Sequence, residues 1–108
     1  MGANSSRSKG RKGETDARLL LEERDYTCED LSAGRSSCDI LALKDGVAWA
    51  VEVKDQVSIR MYDYRKQARA NAKKGMRWMV MAHICGTRSW LVEKQGCKPT
   101  IWHERVRE

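Results

Sequence analysis

The sequence lacks the features of several large classes of protein. No apolar run approaches the roughly 20 residues that a membrane-spanning helix needs, and no apolar signal-peptide core follows the first residues. The four cysteines contain no C-x-x-C spacing, which disfavours a disulfide framework and favours free thiols in a reducing compartment. No internal repeat is visible. We therefore expect a cytoplasmic protein that does not enter a membrane.

Length and charge narrow the class further. The 108 residues suffice for one compact domain and leave nothing for a second core. With 41% hydrophobic residues the chain is expected to fold rather than to stay disordered. Lys and Arg number 21 against 15 Asp and Glu, giving a formal charge of +6. That balance favours a polyanionic partner, of which nucleic acid is the commonest.

The hydrophobic pattern predicts an α/β domain behind a short arm. Residues 1–13 hold Gly, Ser, Asn and basic residues and are predicted to form a mobile basic arm, so the single domain occupies residues 14–108. Apolar positions at helical spacing predict a first helix from Glu14 to about Asp25. The remaining apolar runs predict a second helix at 59–74, ended by Gly75, and strands at 26–31, 38–43, 47–53, 78–84 and 89–93. The order α, β, β, β, α, β, β predicts a small mixed sheet flanked by helices, with residues 96–108 unassigned.

Two acidic residues are predicted to face each other in the central hairpin. The dipeptide Asp45-Gly46 lies between the second and third strands and predicts a two-residue turn. In that register Asp39 opposes Glu52 directly, with Cβ atoms about 4.5–5.5 Å apart. Opposed like charges destabilise a sheet, so stability alone does not explain the pair. A divalent cation removes the cost, and hard oxygen ligands suit Mg²⁺, with Mn²⁺ as a substitute.

Lys54 completes a constellation suited to metal-assisted phosphodiester hydrolysis. It lies two residues after Glu52 and projects from the same face of the strand. In such chemistry the acids hold an ion that polarises the phosphate and activates a bound water. The lysine positions that water, stabilises transition-state charge or accepts a proton, and the sequence leaves these roles open. The structural alternative is a Glu52–Lys54 ion pair with Asp39 solvated at a strand end.

The residues around this constellation resemble a known nuclease family. Cys38-Asp39 followed by Glu52-Val53-Lys54 resembles the catalytic pattern of the PD-(D/E)xK nuclease superfamily. Over about residues 11–93 the chain also resembles the archaeal-type Holliday-junction resolvases, through the motifs Arg11-Lys12-Gly13, Ser32-Ala33-Gly34, Asp39-Ile40-Leu41-Ala42 and Gly46. The resemblance implies the restriction-endonuclease-like fold, in which helices flank a mixed central sheet.

The resemblance also implies roles for individual residues. It makes Asp39 and Glu52 metal ligands, Lys54 the catalytic lysine, Glu14 a further ligand on the first helix, and Ser32 a loop residue acting near the scissile phosphate. Members of the family are homodimers that present two sites to the opposed strands of a four-way junction. A homodimer and branched DNA are therefore the implied partners.

The chain departs from the family pattern at three places. Cys38 replaces the proline before the first acid. Counting back from Tyr26 aligns the family's helix glutamate with Glu14, whereas counting forward from the arm gives Ala17 and leaves Asp16 as a less favoured substitute. Asp30-Leu31 stands where the family usually has arginine before the loop serine, so Arg35 either takes over that phosphate contact or the contact is absent.

Basic residues in the arm, the loop and the second helix are predicted to contact DNA phosphates, with a merely solvated face as the alternative. They are Arg11, Lys12, Arg35, Arg65, Lys66, Arg69 and Lys73. Two questions stay open here: whether Gln67 reaches the site, and whether Tyr62 and Tyr64 pack on the sheet or contact DNA.

Two further groups of residues suggest a zinc site and a dimer interface, each on weaker grounds. A zinc site fits no standard ligand spacing when assembled from His83, Cys85, Cys97 and His103. The second group is a set of large apolar residues, which we expect to pack in the core. Their combined volume exceeds what a thin two-layer domain can bury, so we hypothesise that those left over form a dimer interface. That set is Trp78, Met79, Met81, Trp90 and Leu91.

The function expected from the sequence is a magnesium-dependent, structure-selective DNA endonuclease, and in particular a Holliday-junction resolvase that makes paired symmetric nicks. One alternative is another nuclease of the same fold that acts on linear, flap or damaged DNA. The other is a non-catalytic DNA-binding module. The small size and basic arm also suit a virus-encoded protein acting in the host cytoplasm.

Overall fold

Eight elements follow one another in the computed structural model, which describes residues 2–30 and 38–105. The two helices are α1 (Gly2–Glu23) and α2 (Met61–Asn71). The six strands are β1 (Thr27–Asp30), β2 (Ile40–Lys44), β3 (Val47–Lys54), β4 (Met76–His83), β5 (Ser89–Lys94) and β6 (Thr100–His103). The α/β class predicted from the sequence is confirmed, and β6 is an additional strand in the stretch left unassigned.

The six strands form one mixed sheet in the order in which they occur along the chain. Neighbouring strands are antiparallel except β3 and β4, which are parallel and are connected by α2. A parallel pair needs a crossover of about a dozen residues or more, and α2 supplies it. The carboxyl ends of β3 and β4 therefore lie at the same end of the sheet, together with the start of β2.

Helices cover both faces of this sheet, so the domain has a hydrophobic cluster on each side of the sheet. On one face α1 contributes Ala17, Leu20 and Leu21 to a cluster with buried residues of β2 to β5. On the other face Tyr64 and Ala68 of α2 pack on β4. Among the described residues, no helix is long and apolar enough to cross a membrane.

The apolar residues that suggested a dimer face are accommodated inside the domain. Trp78, Met79, Met81 and Trp90 are all buried, and Leu91 is half-buried against the α2 cluster. The hypothesis of an exposed surplus is therefore wrong. It assumed a two-layer domain, whereas helices on both faces provide a third layer in which these side chains are buried.

Two helix boundaries differ from those predicted. Helix α1 begins at Gly2 instead of Glu14, so its backbone is helical across the stretch predicted as an arm. Gly13 is buried, and a Cβ atom there would lie 3.3 Å from the Asp55 Cβ atom, so tertiary contact outweighs the low helix propensity of glycine. Helix α2 ends at Asn71 instead of reaching Lys74, and Gly75 lies in the turn before β4 with φ of +90°. Mobility of the arm stays a prediction.

Candidate functional site

The β2–β3 hairpin has the register that the sequence predicts. Asp45 and Gly46 form the turn with φ of +51° and +78°, the positive values that a type I′ turn requires. The ladder then runs from Lys44 opposite Val47 to Ile40 opposite Val51. One step further, the Asp39 amide donates to the Val51 carbonyl at 3.1 Å. Asp39 and Glu52 are therefore neighbours at the end of this hairpin.

Asp39 is anchored by the backbone of β3. Its Oδ2 atom accepts a hydrogen bond of 2.8 Å from the Val53 amide. That bond holds the carboxylate beside the end of β3, although the residue is only half-buried. A short side chain that is held by a backbone amide is well suited to bind a metal ion, because the position of its oxygen atoms varies little.

Glu52 is the most deeply placed carboxylate of the site. Only 2% of the residue is exposed, and Asn71 Nδ2 of α2 donates to its Oε1 at 2.7 Å. Burial raises the pKa of Glu52 above its ordinary value, and the neighbouring Asp39 raises it further. The Asn71 hydrogen bond and the Lys54 charge act in the opposite direction. The site thus carries a carboxylate whose charged form is poorly compensated by the protein.

Lys54 projects over an aromatic ring of α2. Its Nζ atom lies 5.7 Å from the centroid of the Tyr64 ring, within the range of a cation–π contact. Tyr64 is buried, and its hydroxyl lies 2.8 Å from Gln56 Oε1 and 3.0 Å from the Ser58 carbonyl oxygen. The tyrosine therefore fixes the β3–α2 connection and limits where the ammonium group can lie.

Asn71 is the residue of the site that the sequence did not indicate. The open candidate was Gln67, which is exposed one helical turn earlier. Both carry an amide, and residues four apart lie on the same side of a helix, so helical spacing alone makes Gln67 and Asn71 equivalent candidates. The choice between them depends on how α2 crosses the sheet, which is set by packing.

Glu14 approaches the same end of the sheet from the opposite face. It is half-buried on α1, next to Gly13, which packs against Asp55 just after β3. Within the part of the chain that the structure describes, no three His, Cys, Asp or Glu side chains are grouped so that they could hold a metal ion. The structure thus brings together the pair Asp39 and Glu52, and Glu14 as a third ligand stays a prediction. Ser32 and Arg35 lie outside the described residues, as do the side chains of Arg11 and Lys12.

The predicted phosphate contacts of α2 have different environments. Arg65 is half-buried, and its Nε atom lies 3.2 Å from Glu93 Oε2, an ion pair without an aligned hydrogen bond from that nitrogen. The Arg69 guanidinium lies 6.0 Å from the Trp78 ring centroid. Lys66 is exposed, as is Tyr62, and Lys73 is exposed in the connection that follows α2. Arg65 thus has a structural partner, whereas the other cations of this face are presented to solvent.

The residues of the hypothetical zinc site are separated. His83 Nδ1 lies 2.9 Å from Asp55 Oδ1, and its Nε2 lies 2.6 Å from the Thr87 carbonyl oxygen. Cys97 lies in the turn after β5, at the other end of the sheet from His83. Both ring nitrogens of His83 thus face oxygen atoms of the protein, and these residues form no zinc site.

Comparisons with known proteins give no assignment. No protein-family model matches the chain, and no curated protein matches it. The function must therefore be inferred from the side chains themselves.

Proposed function

We propose that this chain is a divalent-metal-dependent DNA endonuclease of the PD-(D/E)xK type that cuts branched DNA as a Holliday-junction resolvase. The observation that carries the proposal is the convergence of Asp39, Glu52 and Lys54 at one end of the sheet. The acids lie on a hairpin within a mixed sheet flanked by helices, which is similar to the arrangement that the family resemblance implies. The junction as substrate rests on that resemblance.

The donor set fits a hard divalent cation. Two carboxylates lie side by side, and the buried one contacts a neutral amide instead of a cationic side chain. Burying a charge without a partner is costly, and an ion held by both acids would remove that cost. Asp39 and Glu52 would hold Mg²⁺ or Mn²⁺. When bound, such an ion polarises the scissile phosphate and lowers the pKa of a coordinated water.

The remaining groups of the site have separate tasks. Asn71 fixes the orientation of the Glu52 carboxylate through its hydrogen bond. Lys54, held over the Tyr64 ring, presents a positive charge where negative charge develops on the phosphate. The exposed cations of α2 contact neighbouring phosphates and set the orientation of the DNA without reading its sequence. A homodimer, which would present two such sites, rests on the family resemblance alone.

A cleavage assay on an end-labelled four-way junction tests the proposal, with the matching linear duplex beside it and with Mg²⁺ or chelator. We expect paired symmetric nicks in the junction only, abolished by chelator. Asp39→Asn should bind the junction without cutting it. Glu22→Gln is the matched control, because it also removes one negative charge, from an exposed side chain of α1 that is paired with Arg18 and not with the site.

The other outcomes would replace the proposal. Cutting of junction and duplex alike would retain the nuclease and reject junction selectivity. Binding without cutting under any divalent ion would indicate a DNA-binding module. Equal cutting by wild type and Asp39→Asn would show that the proposed site does not catalyse the cleavage.

A further inference from the structure

A second cluster of charge lies at the end of the sheet opposite the candidate active site. We call this the hairpin end, and it comprises the segments 24–26, 44–47, 72–77 and 94–98. β2 ends here, β3 and β4 begin here, and β5 ends here. These four segments hold seven Lys and Arg against two Asp. Their surplus of five positive charges is close to the formal +6 of the whole chain.

Four of these cations are held in place over aromatic rings. Lys44 and Lys94 place their Nζ atoms 5.0 Å and 5.8 Å from the centroid of the Tyr26 ring. Lys94 also lies 5.0 Å from the Trp49 ring centroid, and the Arg77 guanidinium lies 5.9 Å from it.

The cluster continues on the α1 side of this end. Arg24 covers the Trp102 ring at 4.3 Å. Its carbonyl oxygen accepts a hydrogen bond of 2.9 Å from Lys44 Nζ. Each of these four cations therefore has a defined position relative to a ring of the domain.

The shared rings keep like charges close together. Because Lys44 and Lys94 are both within 6 Å of one centroid, their ammonium groups lie within about 11 Å of each other, comparable with the ~10 Å Debye length at 0.1 M salt. The same reasoning applies to Arg77 and Lys94 across Trp49. Like charges at such distances repel, and the ring contacts and the Lys44 hydrogen bond offset that repulsion within the fold. A bound polyanion would relieve the repulsion.

The shape of the cluster favours nucleic acid over an anionic membrane. The Tyr26 and Trp49 rings are buried beneath the cations and offer no apolar surface for insertion into lipid. Arg77 of β4 is exposed, and Lys44 of β2 and Lys94 of β5 are partly exposed, so solvent reaches the cations at this end. The charged ends of Lys44 and Lys94 lie within about 11 Å of each other, which is the axial length of about three successive phosphates of one DNA strand.

We propose that the hairpin end is a second nucleic-acid-binding surface, which holds the phosphates of a duplex arm away from the cutting site. The inference that this arm belongs to the cut DNA rests on the proposed function. β3 connects the two ends and has eight residues, so they are separated by about 26 Å, which corresponds to about eight base pairs of duplex. Contacts at both ends would bind one arm along the length of the sheet.

The salt dependence of DNA binding in the presence of chelator tests this surface without any cleavage. The double variant Arg77→Gln/Lys94→Gln removes two charges and keeps most of each stem. We expect binding to a linear duplex, followed by fluorescence anisotropy, to weaken on the order of tenfold at moderate salt, with the slope of log K against log salt reduced by about 2. The variant Arg18→Gln/Arg105→Gln is the matched control, because it loses the same charge outside the hairpin end and should keep the slope.

A charge-preserving variant separates binding from folding. Arg77→Lys/Lys94→Arg alters both ring contacts but keeps both charges, so it should retain the wild-type slope. An unchanged slope in the neutralised variant would overturn the inference, as would equal losses in the control. Binding to vesicles of phosphatidylserine and phosphatidylcholine but not to DNA would overturn it in favour of a membrane. If the slope changes as expected while wild type cuts no junction, the surface stands and the proposed resolvase activity fails.

Discussion

Two buried carboxylates, Glu52 on β3 and Glu93 on β5, occupy equivalent places in the sheet. Both pair with Val80 of β4 from opposite sides, and both are reached by a polar side chain of α2. They are the two buried charged side chains among the described residues, with 2% and 9% of the residue exposed. Their surroundings are nevertheless different in charge.

Glu93 meets a guanidinium, whereas Glu52 meets a neutral amide and a second acid. The ion pair with Arg65 neutralises Glu93 and ties α2 to β5. Asn71 orients Glu52 without neutralising it, and Asp39 adds negative charge beside it. Lys54 also acts on Glu52, but it forms no direct ion pair with it, so we expect the charge of Glu52 to be less fully compensated inside the fold than that of Glu93. The difference therefore points to Glu52 as the functional carboxylate.

The largest expected difference between these acids is in DNA cleavage. Glu52→Gln should lower Mg²⁺-dependent junction cleavage by about a thousandfold or more, since losing a metal ligand removes ~4 kcal/mol of transition-state stabilisation. Glu93→Gln should retain cleavage within a few-fold once the fraction of folded protein is accounted for. Single-turnover rates at saturating enzyme measure both. Similar losses in the two variants would contradict the distinction.

The hairpin and its acids were predictable because they depend on local rules. Asp45-Gly46 selects a two-residue turn, and the turn fixes the register that brings Asp39 beside Glu52. The alternation of a strand then places Lys54 on the side of Glu52. None of these steps needs knowledge of a residue beyond the hairpin.

The remaining features depend on contacts distant in sequence. Asn71 reaches Glu52 only because α2 crosses the sheet in one particular direction, and the sequence gives no crossing angle. β6 is an edge strand with a buried pattern too weak to identify, since most of it is exposed. Trp90 is buried on the α1 face of the sheet and Trp78 on the α2 face. Their burial could be predicted only by knowing that the two helices lie on opposite faces.

Unfolding experiments should show a loss of stability on replacing one of the two acids and no loss on replacing the other. Glu93→Gln leaves the Arg65 charge without its partner, which we expect to destabilise the fold by about 1–2 kcal/mol, below the value for a fully buried pair because Arg65 is partly exposed. Glu52→Gln removes a poorly compensated charge and should be neutral or stabilising in the absence of metal. Urea denaturation at neutral pH with chelator measures both as a change in midpoint at unchanged m value. A cost for Glu52→Gln equal to that for Glu93→Gln would show that the comparison is mistaken.

The pH dependence of stability provides a more selective test. Because the pKa of Glu52 is raised in the folded state above its ordinary 4.5, the native protein binds this proton more tightly than the unfolded chain does. Relative to Glu52→Gln, wild type should therefore lose stability as the pH rises from about 4.5 through the folded-state pKa. Asp39→Asn should reduce that loss, because it removes the like charge that raises the pKa. Urea midpoints between mildly acidic and neutral pH, with chelator, measure the trend. If the stability of wild type relative to Glu52→Gln increased with pH, a raised pKa of Glu52 would be excluded.

The smallest expected effect concerns Asn71. Asn71→Ala removes the donor to Glu52 and should cost about 1 kcal/mol at neutral pH, where the carboxylate loses a hydrogen bond. Since that bond lowers the pKa of Glu52, its loss should raise the pKa further and move the pH-dependent decline in stability to higher pH. Gln67→Ala, in the exposed position one turn earlier, is the matched control and should alter neither quantity.

The direction of the pH shift distinguishes orientation of Glu52 from simple packing by Asn71. A packing role predicts the same loss of stability at every pH, because the missing contacts do not depend on whether Glu52 is charged. A role as donor predicts a loss that grows as Glu52 ionises, since a neutral carboxyl can form other hydrogen bonds more cheaply than a buried carboxylate can remain without one. A uniform loss in Asn71→Ala would therefore make Asn71 a structural residue. A loss confined to higher pH would make it the residue that stabilises the charged form of Glu52, as Arg65 does for Glu93, but without cancelling the charge that a metal ion requires.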